Sequence, residues 1–220
     1  MKIVHPLIEI AIDFKINNCY TLVVENPNEF YNLTSELYQQ TKGNEGAFIL
    51  SDNSILNIEK EMLLIYDYYN ISFSSKKIVN LINNDILQLL KKNDFIEDFS
   101  AISTSFIKLS EKISQELDYE LEFEDNFCFE DFIKFSNFKI RNADNLLENL
   151  ITFVDLFIKL TNIKIVSFIN ISNFLNENEM IELIKQLNYF QVKILFLESQ
   201  DKINSHNLKK IIIDQDLCII

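Results

Sequence analysis

Apolar residues change their period along this chain, and each change marks a different kind of structure. Residues 7–13 and 19–25 are rich in Ile, Leu and Val and read as strands. Asn26-Pro27-Asn28-Glu29 then supplies a helix cap, a proline at the first helical position and an acid three residues past the cap, so a helix is expected from Pro27 to about Gln40. Gly43-Asn44-Glu45-Gly46 turns the chain into a short strand at 47–50.

From about residue 59 the pattern turns helical. Ile78, Ile82, Ile86 and Leu89 share one face, and Phe95, Phe99, Ile102, Phe106, Leu109, Ile113 and Leu117 recur at spacings of three and four, close to a coiled-coil seam. These predict two long helices packed as a hairpin, with a shorter helix at 127–135. A further helix at 144–160 places Leu147, Leu150, Val154 and Phe157 on one side. Residues 163–169 and 192–197 are apolar and flank a helix that opens at Asn176 with Glu179 three residues on, which predicts a parallel strand pair with a right-handed crossover. Residues 210–214 and 217–220 offer one or two more strands. The whole reads as an α/β head built from residues 1–60 and 140–220, interrupted by a helical insertion at 61–139 that carries an acidic segment, with no Pro/Gly-rich linker between them.

With 48% hydrophobic residues among 220, a sizeable core is available and disorder is excluded. No apolar stretch approaches the roughly 18 residues that span a bilayer, and Glu9 and Asp13 break the first apolar run, so a cytoplasmic, unprocessed protein with no membrane association is expected. Cys19, Cys128 and Cys218 are odd in number, far apart and without CxxC spacing; buried free thiols are expected rather than disulfides or a zinc site.

The strand-to-helix junction near the amino end is where a nucleotide-binding α/β protein carries its glycine-rich phosphate loop. Here it reads Val24-Glu25-Asn26-Pro27, with no glycine and a carboxylate in place, and Gly43 and Gly46 lack the lysine of such a loop. The strand ending near Asn170 also lacks an aspartate to bridge a metal. ATP binding is therefore not expected. His5 and His206 stand at opposite ends, and no Ser or Cys sits in a glycine-flanked elbow, which leaves nucleophilic catalysis without its parts.

The net charge of −13 argues against a nucleic-acid partner, because phosphate binding draws on a positive field. Basic residues are nevertheless grouped at Lys76-Lys77, Lys91-Lys92, Lys134 with Lys139 and Arg141, and Lys209-Lys210. Solvated helix ends are the simpler account of them. The densest chemistry is the run Glu116-Leu117-Asp118-Tyr119-Glu120-Leu121-Glu122-Phe123-Glu124, whose period of two lines five acids along one face of an extended segment. A solvated edge explains such a run. So does a cation, since Asp125, Glu130 and Asp131 follow and Ca²⁺ takes six to eight oxygens at about 2.3–2.6 Å. A basic surface on a second subunit would also neutralise it. The same acids leave open a divalent-metal nuclease or phosphohydrolase, or an acidic protein-interaction module.

Several segments together resemble one known family: Leu22-Val-Val-Glu-Asn26 before its helix, Ile71-Ser-Phe-Ser-Ser75 opening a long helix, the acidic run, residues 134–140, and above all Val166-Ser-Phe-Ile-Asn170 with Val192-Lys-Ile-Leu-Phe-Leu-Glu198. In that order they look like the shorter form of the Csn-two proteins, the small adaptation proteins of type II-A CRISPR systems. The resemblance implies a degenerate P-loop-ATPase-like head without a nucleotide site, an inserted helical leg, and a ring-shaped homotetramer. It further implies non-enzymatic, calcium-dependent binding of double-stranded DNA ends during spacer acquisition in antiviral defence, with the CRISPR integrase subunits and the effector nuclease as partners. Carried over by position, calcium ligation falls to Glu120, Glu122, Glu124 and Asp125, then Glu116, Asp118 and Glu130. DNA contact falls to Lys134, Lys139 and Arg141, then Lys76 and Lys77.

Overall fold

The computed structural model of the chain describes residues 1–92, 95–203 and 208–220. It opens on β1 (Lys2–His5) and β2 (Ile8–Asp13), an antiparallel pair, followed by β3 (Cys19–Val24) and α1 (Pro27–Gln40). Asn26 caps α1 as its sequence predicts, its Oδ1 accepting the N–H groups of Asn28 and Glu29 at 3.1 and 3.2 Å. The expected strand at 47–50 forms two residues later as β4 (Ile49–Ser51), and with β5 (Ile55–Leu56) it completes a four-stranded antiparallel sheet ordered β2-β1-β4-β5. A single helical turn, α2 (Ile58–Glu61), leads into β6 (Met62–Ile65).

This last strand corrects the expected start of the helical insertion. Met62-Leu-Leu-Ile65 pairs in parallel with the strand at 165–169, so it belongs to the head; the chain divides into one unit of Met1–Ile71 with Ala143–Ile220 and a second of Ser72–Asn142. Four apolar residues are too few to separate strand from helix by periodicity, and a partner about a hundred residues away settled the matter.

The second unit consists, among the described residues, of α3 (Lys76–Leu90), α4 (Ile96–Glu116) and α5 (Phe129–Ser136). The two long helices and the shorter third helix are present as predicted, but the packing runs through the third rather than through a direct hairpin. α3 packs on the short α5, and α4 meets it through Phe99, whose ring lies 4.2 Å from that of Phe129 and 6.2 Å from that of Phe132. The apolar seam of α4 does not enter a core: Ile102, Phe106, Leu109 and Ile113 are all exposed.

The first unit resumes with α6 (Leu146–Leu160), β7 (Ile165–Ile169), a 3₁₀ turn at Ile171–Asn173, α7 (Glu177–Tyr189), β8 (Lys193–Glu198) and β9 (Lys209–Ile213). The predicted β7–α7–β8 unit is present and its strands are parallel. Residues 217–220 make one antiparallel bridge, Ile213 to Ile219, rather than a further strand. All pairs in the five-stranded sheet, ordered β6-β7-β8-β3-β9, are parallel.

Alternation along these strands separates two cores. Tyr20, Leu22, Val24, Leu195, Leu197, Ile211 and Ile213 project to the side covered by Leu33 and Leu37 of α1 and by Ile3, Ile12 and Leu50 of the small sheet. Cys19, Val166, Phe168, Ile194 and Phe196 project to the other, under Leu150 and Val154 of α6 and Leu183, Ile184 and Leu187 of α7. The expectation of buried thiols holds for Cys19 alone. Cys128 is half-buried and Cys218 exposed, since neither lies in a strand with both faces covered.

Candidate functional site

In the helical unit, α4 stops at the first acid of the run. The C-terminal end of a helix carries partial negative charge from its unsatisfied carbonyls, so a series of carboxylates there opposes further helix. Leu117 accordingly turns extended, with φ −97° and ψ 141°, and residues 117–128 form neither helix nor strand. The expected one-faced strand is absent because no described strand of this unit is available to pair with it. Without a sheet neither side is covered: Tyr119, Leu121 and Phe123 are exposed along with Glu116, Asp118, Glu120, Glu122, Glu124 and Asp125. In an extended segment alternate carboxylates stand about 7 Å apart, far enough for water to damp their repulsion.

Among the described residues no three His, Cys, Asp or Glu side chains converge tightly enough to hold a metal ion. The donor set suits a hard cation such as Ca²⁺, being all oxygen, yet the described residues hold no preformed cage. Two neighbouring acids have other work. Asp131 accepts both the backbone N–H and the thiol of Cys128, at 3.2 and 2.9 Å, closing the first turn of α5, and it pairs with Lys134 at 3.4 Å. The Cys128 thiol and N–H together hold the Asp131 carboxyl below its usual range. Glu130 is also held low, by backbone N–H bonding first and by the Cys128 thiol second, with a smaller contribution from Lys91 at the end of α3.

The cations predicted to meet DNA fall in two places within the unit. Lys76 and Lys77 occupy the first turn of α3, directly after its cap Ser75, and both are exposed. Lys134 lies on α5; Asn137 then takes the left-handed conformation (φ 48°), and Lys139 and Arg141 follow on exposed backbone outside any helix. From 134 to 141 the sequence holds three cations and no acid.

The head shows why its first strand-to-helix junction does not cradle phosphate. Pro27 has no N–H, Asn28 and Glu29 donate theirs to Asn26, and Glu25 donates its own to the carbonyl of Ile213, so the groups a phosphate loop would present are already used. Asn170, where an aspartate would bridge a metal, adopts the left-handed conformation (φ 52°), and its Oδ1 accepts the N–H and hydroxyl of Ser199 at 2.8 and 3.0 Å. His5 bonds Glu36 at 3.1 Å and lies against Phe48 with ring centroids 4.4 Å apart, a structural role within the small sheet. His206 lies outside the described residues.

Sequence reasoning missed Glu198. It ends β8 almost fully buried, accepting the Ser172 hydroxyl at 2.5 Å and the Ser172 N–H at 3.3 Å from the 3₁₀ turn. Burial pushes its carboxyl up to about 7 against those donors and Lys202. The available signal was a lone carboxylate closing an otherwise apolar strand. The pair fastens the turn after β7 to the end of β8.

Comparison with known proteins supplies the family. The sequence model of the family described as CRISPR-associated protein (Cas_Csn2) matches residues 40–217. A CRISPR-associated protein Csn2 of Streptococcus agalactiae is 24% identical over 225 aligned residues, which cover 100% of this chain and 97% of that protein. Another of that name, from Enterococcus faecalis, is 25% identical over 203 residues, 91% of this chain and 90% of its own. The Csn-two resemblance of the sequence thus holds across the chain, which belongs to the CRISPR-associated Csn2 family.

Proposed function

We propose that this protein acts in CRISPR spacer acquisition as a non-enzymatic ring, a homotetramer, that binds the ends of double-stranded DNA with calcium, working beside the integrase subunits and the effector nuclease. Family membership carries the role in adaptation. The observation that supports the molecular reading is the separation of charge inside the helical unit: acids concentrated at 116–131, then the acid-free cationic stretch 134–141. An acidic chain binds phosphate only where its own acids are screened or kept apart from its cations. Calcium held by Glu120, Glu122, Glu124 and Asp125, with Glu116, Asp118 and Glu130 around them, would screen the run and draw the irregular segment together. Lys134, Lys139 and Arg141, with Lys76 and Lys77, would then face DNA. The consumption of the phosphate-loop N–H groups by Asn26 supports a head that holds no nucleotide, and the head's role becomes assembly.

A mobility assay with linear DNA and covalently closed circles of the same sequence, with calcium or with chelator, tests the reading. Retention of linear DNA alone, lost on chelation, is expected. Equal retention of circles would overturn the preference for ends, and cleavage of either DNA in Mg²⁺ that Glu122→Ala abolishes would overturn the non-enzymatic role.

A further inference from the structure

Phe135 stands apart from the other phenylalanines of its surroundings. Phe99 lies stacked on Phe127, tilted against Phe129 and edge-on to Phe132, and Phe138 lies edge-on to Phe132 at 6.3 Å, so each of these rings is partnered within the unit. Phe135 is 87% exposed, more than any other phenylalanine described, and no ring contact to it is found among the described residues. Its position on α5 explains this. Phe129, Phe132 and the buried Ile133 lie at spacings of three and four and form the packed face, and Phe135 falls off that face.

An unpartnered aromatic ring on a solvated helix end loses the stabilisation that burial would bring, so it adds nothing to the fold of the single chain. Its company indicates what it is for. Lys134 precedes it with its side chain 76% exposed. The left-handed Asn137 then ends the helix and sends out Lys139 and Arg141, exposed and without an ion-pair partner among the described residues. An exposed apolar ring in a segment that holds three cations and no acid complements a ligand with a flat apolar face and an anionic margin. Duplex DNA presents such a face in one place without cost: along its length every base is already stacked, and opening a step costs energy, whereas the last base pair has one free face.

We propose that Phe135 stacks on the terminal base pair of a DNA duplex whose outer phosphates are held by Lys134, Lys139 and Arg141. This rests on the DNA-binding reading above and adds to it the group that distinguishes an end from the wall of the helix. Cations alone bind phosphate wherever it occurs; the ring supplies preference for a terminus.

The test uses the full chain with calcium and short duplexes carrying 2-aminopurine either at the terminal pair or at the centre. Because the chain has no tryptophan, the probe is excited without background from that residue. Binding is expected to change the terminal probe and leave the central one unchanged. Phe135→Ala should abolish that change and weaken binding to short duplexes about tenfold, within the range of aromatic–base stacking, and Phe135→Trp should restore both. Lys139→Gln with Arg141→Gln should instead weaken binding to ends and to long DNA alike and flatten its salt dependence. Since Phe135 is exposed, its replacement leaves the fold intact, and circular dichroism checks that. If the wild-type chain binds DNA and Phe135→Ala leaves the terminal signal and affinity unchanged, the stacking role falls while the DNA-binding reading stands. If the wild type binds no DNA at all, both fall. Phe135-dependent binding to phosphatidylglycerol vesicles without a terminal DNA signal, or Phe135-dependent self-association without one, also overturns it.

Discussion

The hydroxyl of Ser172 lies 2.5 Å from Oε2 of Glu198, linking the 3₁₀ turn after one central strand to the last residue of the next. The Ser172 N–H joins at 3.3 Å, and Lys202, which donates to Asn173 at 2.8 Å, contributes its positive field. Tyr68 closes the same end of the sheet. Its hydroxyl donates to the carbonyl of Ile169 at 2.8 Å, and burial, reinforced by the Glu198 carboxyl, pushes its ionisation far above the usual range.

Glu198 makes stability depend on pH near neutrality. Its carboxyl rises to about 7 on folding, from an ordinary value of 4.5, with burial as the largest cause. The native state therefore holds the proton more tightly than the unfolded chain. The associated stability is complete below about pH 4.5, falls as pH rises towards 7, and is lost above it. Glu198→Gln keeps the shape and the partners of the neutral acid, so its advantage over wild type should grow between pH 5 and pH 8 to on the order of 2–3 kcal/mol. Urea unfolding of both proteins at the two pH values measures it, and parallel pH profiles would refute it.

Thr21 predicts a stabilising substitution. It sits in β3, the strand hydrogen-bonded on both sides by β8 and β9, and its Oγ1 is buried without a hydrogen-bond partner among the described residues. A hydroxyl that gives up water and gains nothing costs free energy, and valine has the same branching without it. Thr21→Val should raise stability by about 1 kcal/mol, seen as a higher urea midpoint with unchanged slope. A destabilised variant would mean that the hydroxyl is solvated.

The three thiols should react in a fixed order. Cys218 is exposed. Cys128 is half-buried, and its hydrogen bond to the Asp131 carboxylate raises its ionisation above the usual range. Burial pushes Cys19 up to about 12, leaving almost no thiolate at neutral pH. Maleimide labelling followed by mass spectrometry should find Cys218 modified first, Cys128 later and Cys19 only after denaturation. Replacing Asp131 by asparagine should speed Cys128 without changing Cys19.

What the sequence disclosed depended on how local each feature was. The cap at Asn26, the box of Asn176 with Glu179 and the apolar run 192–197 carry their instructions within a few residues; both caps formed where they were predicted and the strand formed one residue later, at Lys193–Glu198. β2 and β4 were read as strands, but β1, β5 and β6 did not announce themselves, because two to four residues acquire meaning only from partners elsewhere along the chain. The acidic run was legible as a concentration of charge. Its irregular path was not, since that follows from a helix ending against its own carboxylates. Phe135 was hidden among nineteen phenylalanines, and only its exposure set it apart. Glu198 looked like any strand-terminal acid until Ser172 was seen to cover it.

The acidic segment gives a direct test of calcium binding that does not involve DNA. Glu116, Glu120, Glu122 and Glu124 lie at or within an exposed stretch that has no regular structure, which is good substrate for a protease that cuts after glutamate. A cation gathering several of these carboxylates would order the backbone between them and slow cleavage at these sites first. Calcium should do so better than magnesium, because it accepts more ligands in a looser shell while Mg²⁺ keeps its water. Timed digestion resolved by mass spectrometry should therefore show cuts at 116–124 in chelator, protection in millimolar calcium, and weaker protection in magnesium. Glu122→Gln with Glu124→Gln should remove the protection without altering cleavage elsewhere. Salt offers the needed control, since raised ionic strength screens the same repulsion without bridging any two acids. Protection by sodium chloride equal to that by calcium would reduce the effect to screening and remove the segment as a calcium site.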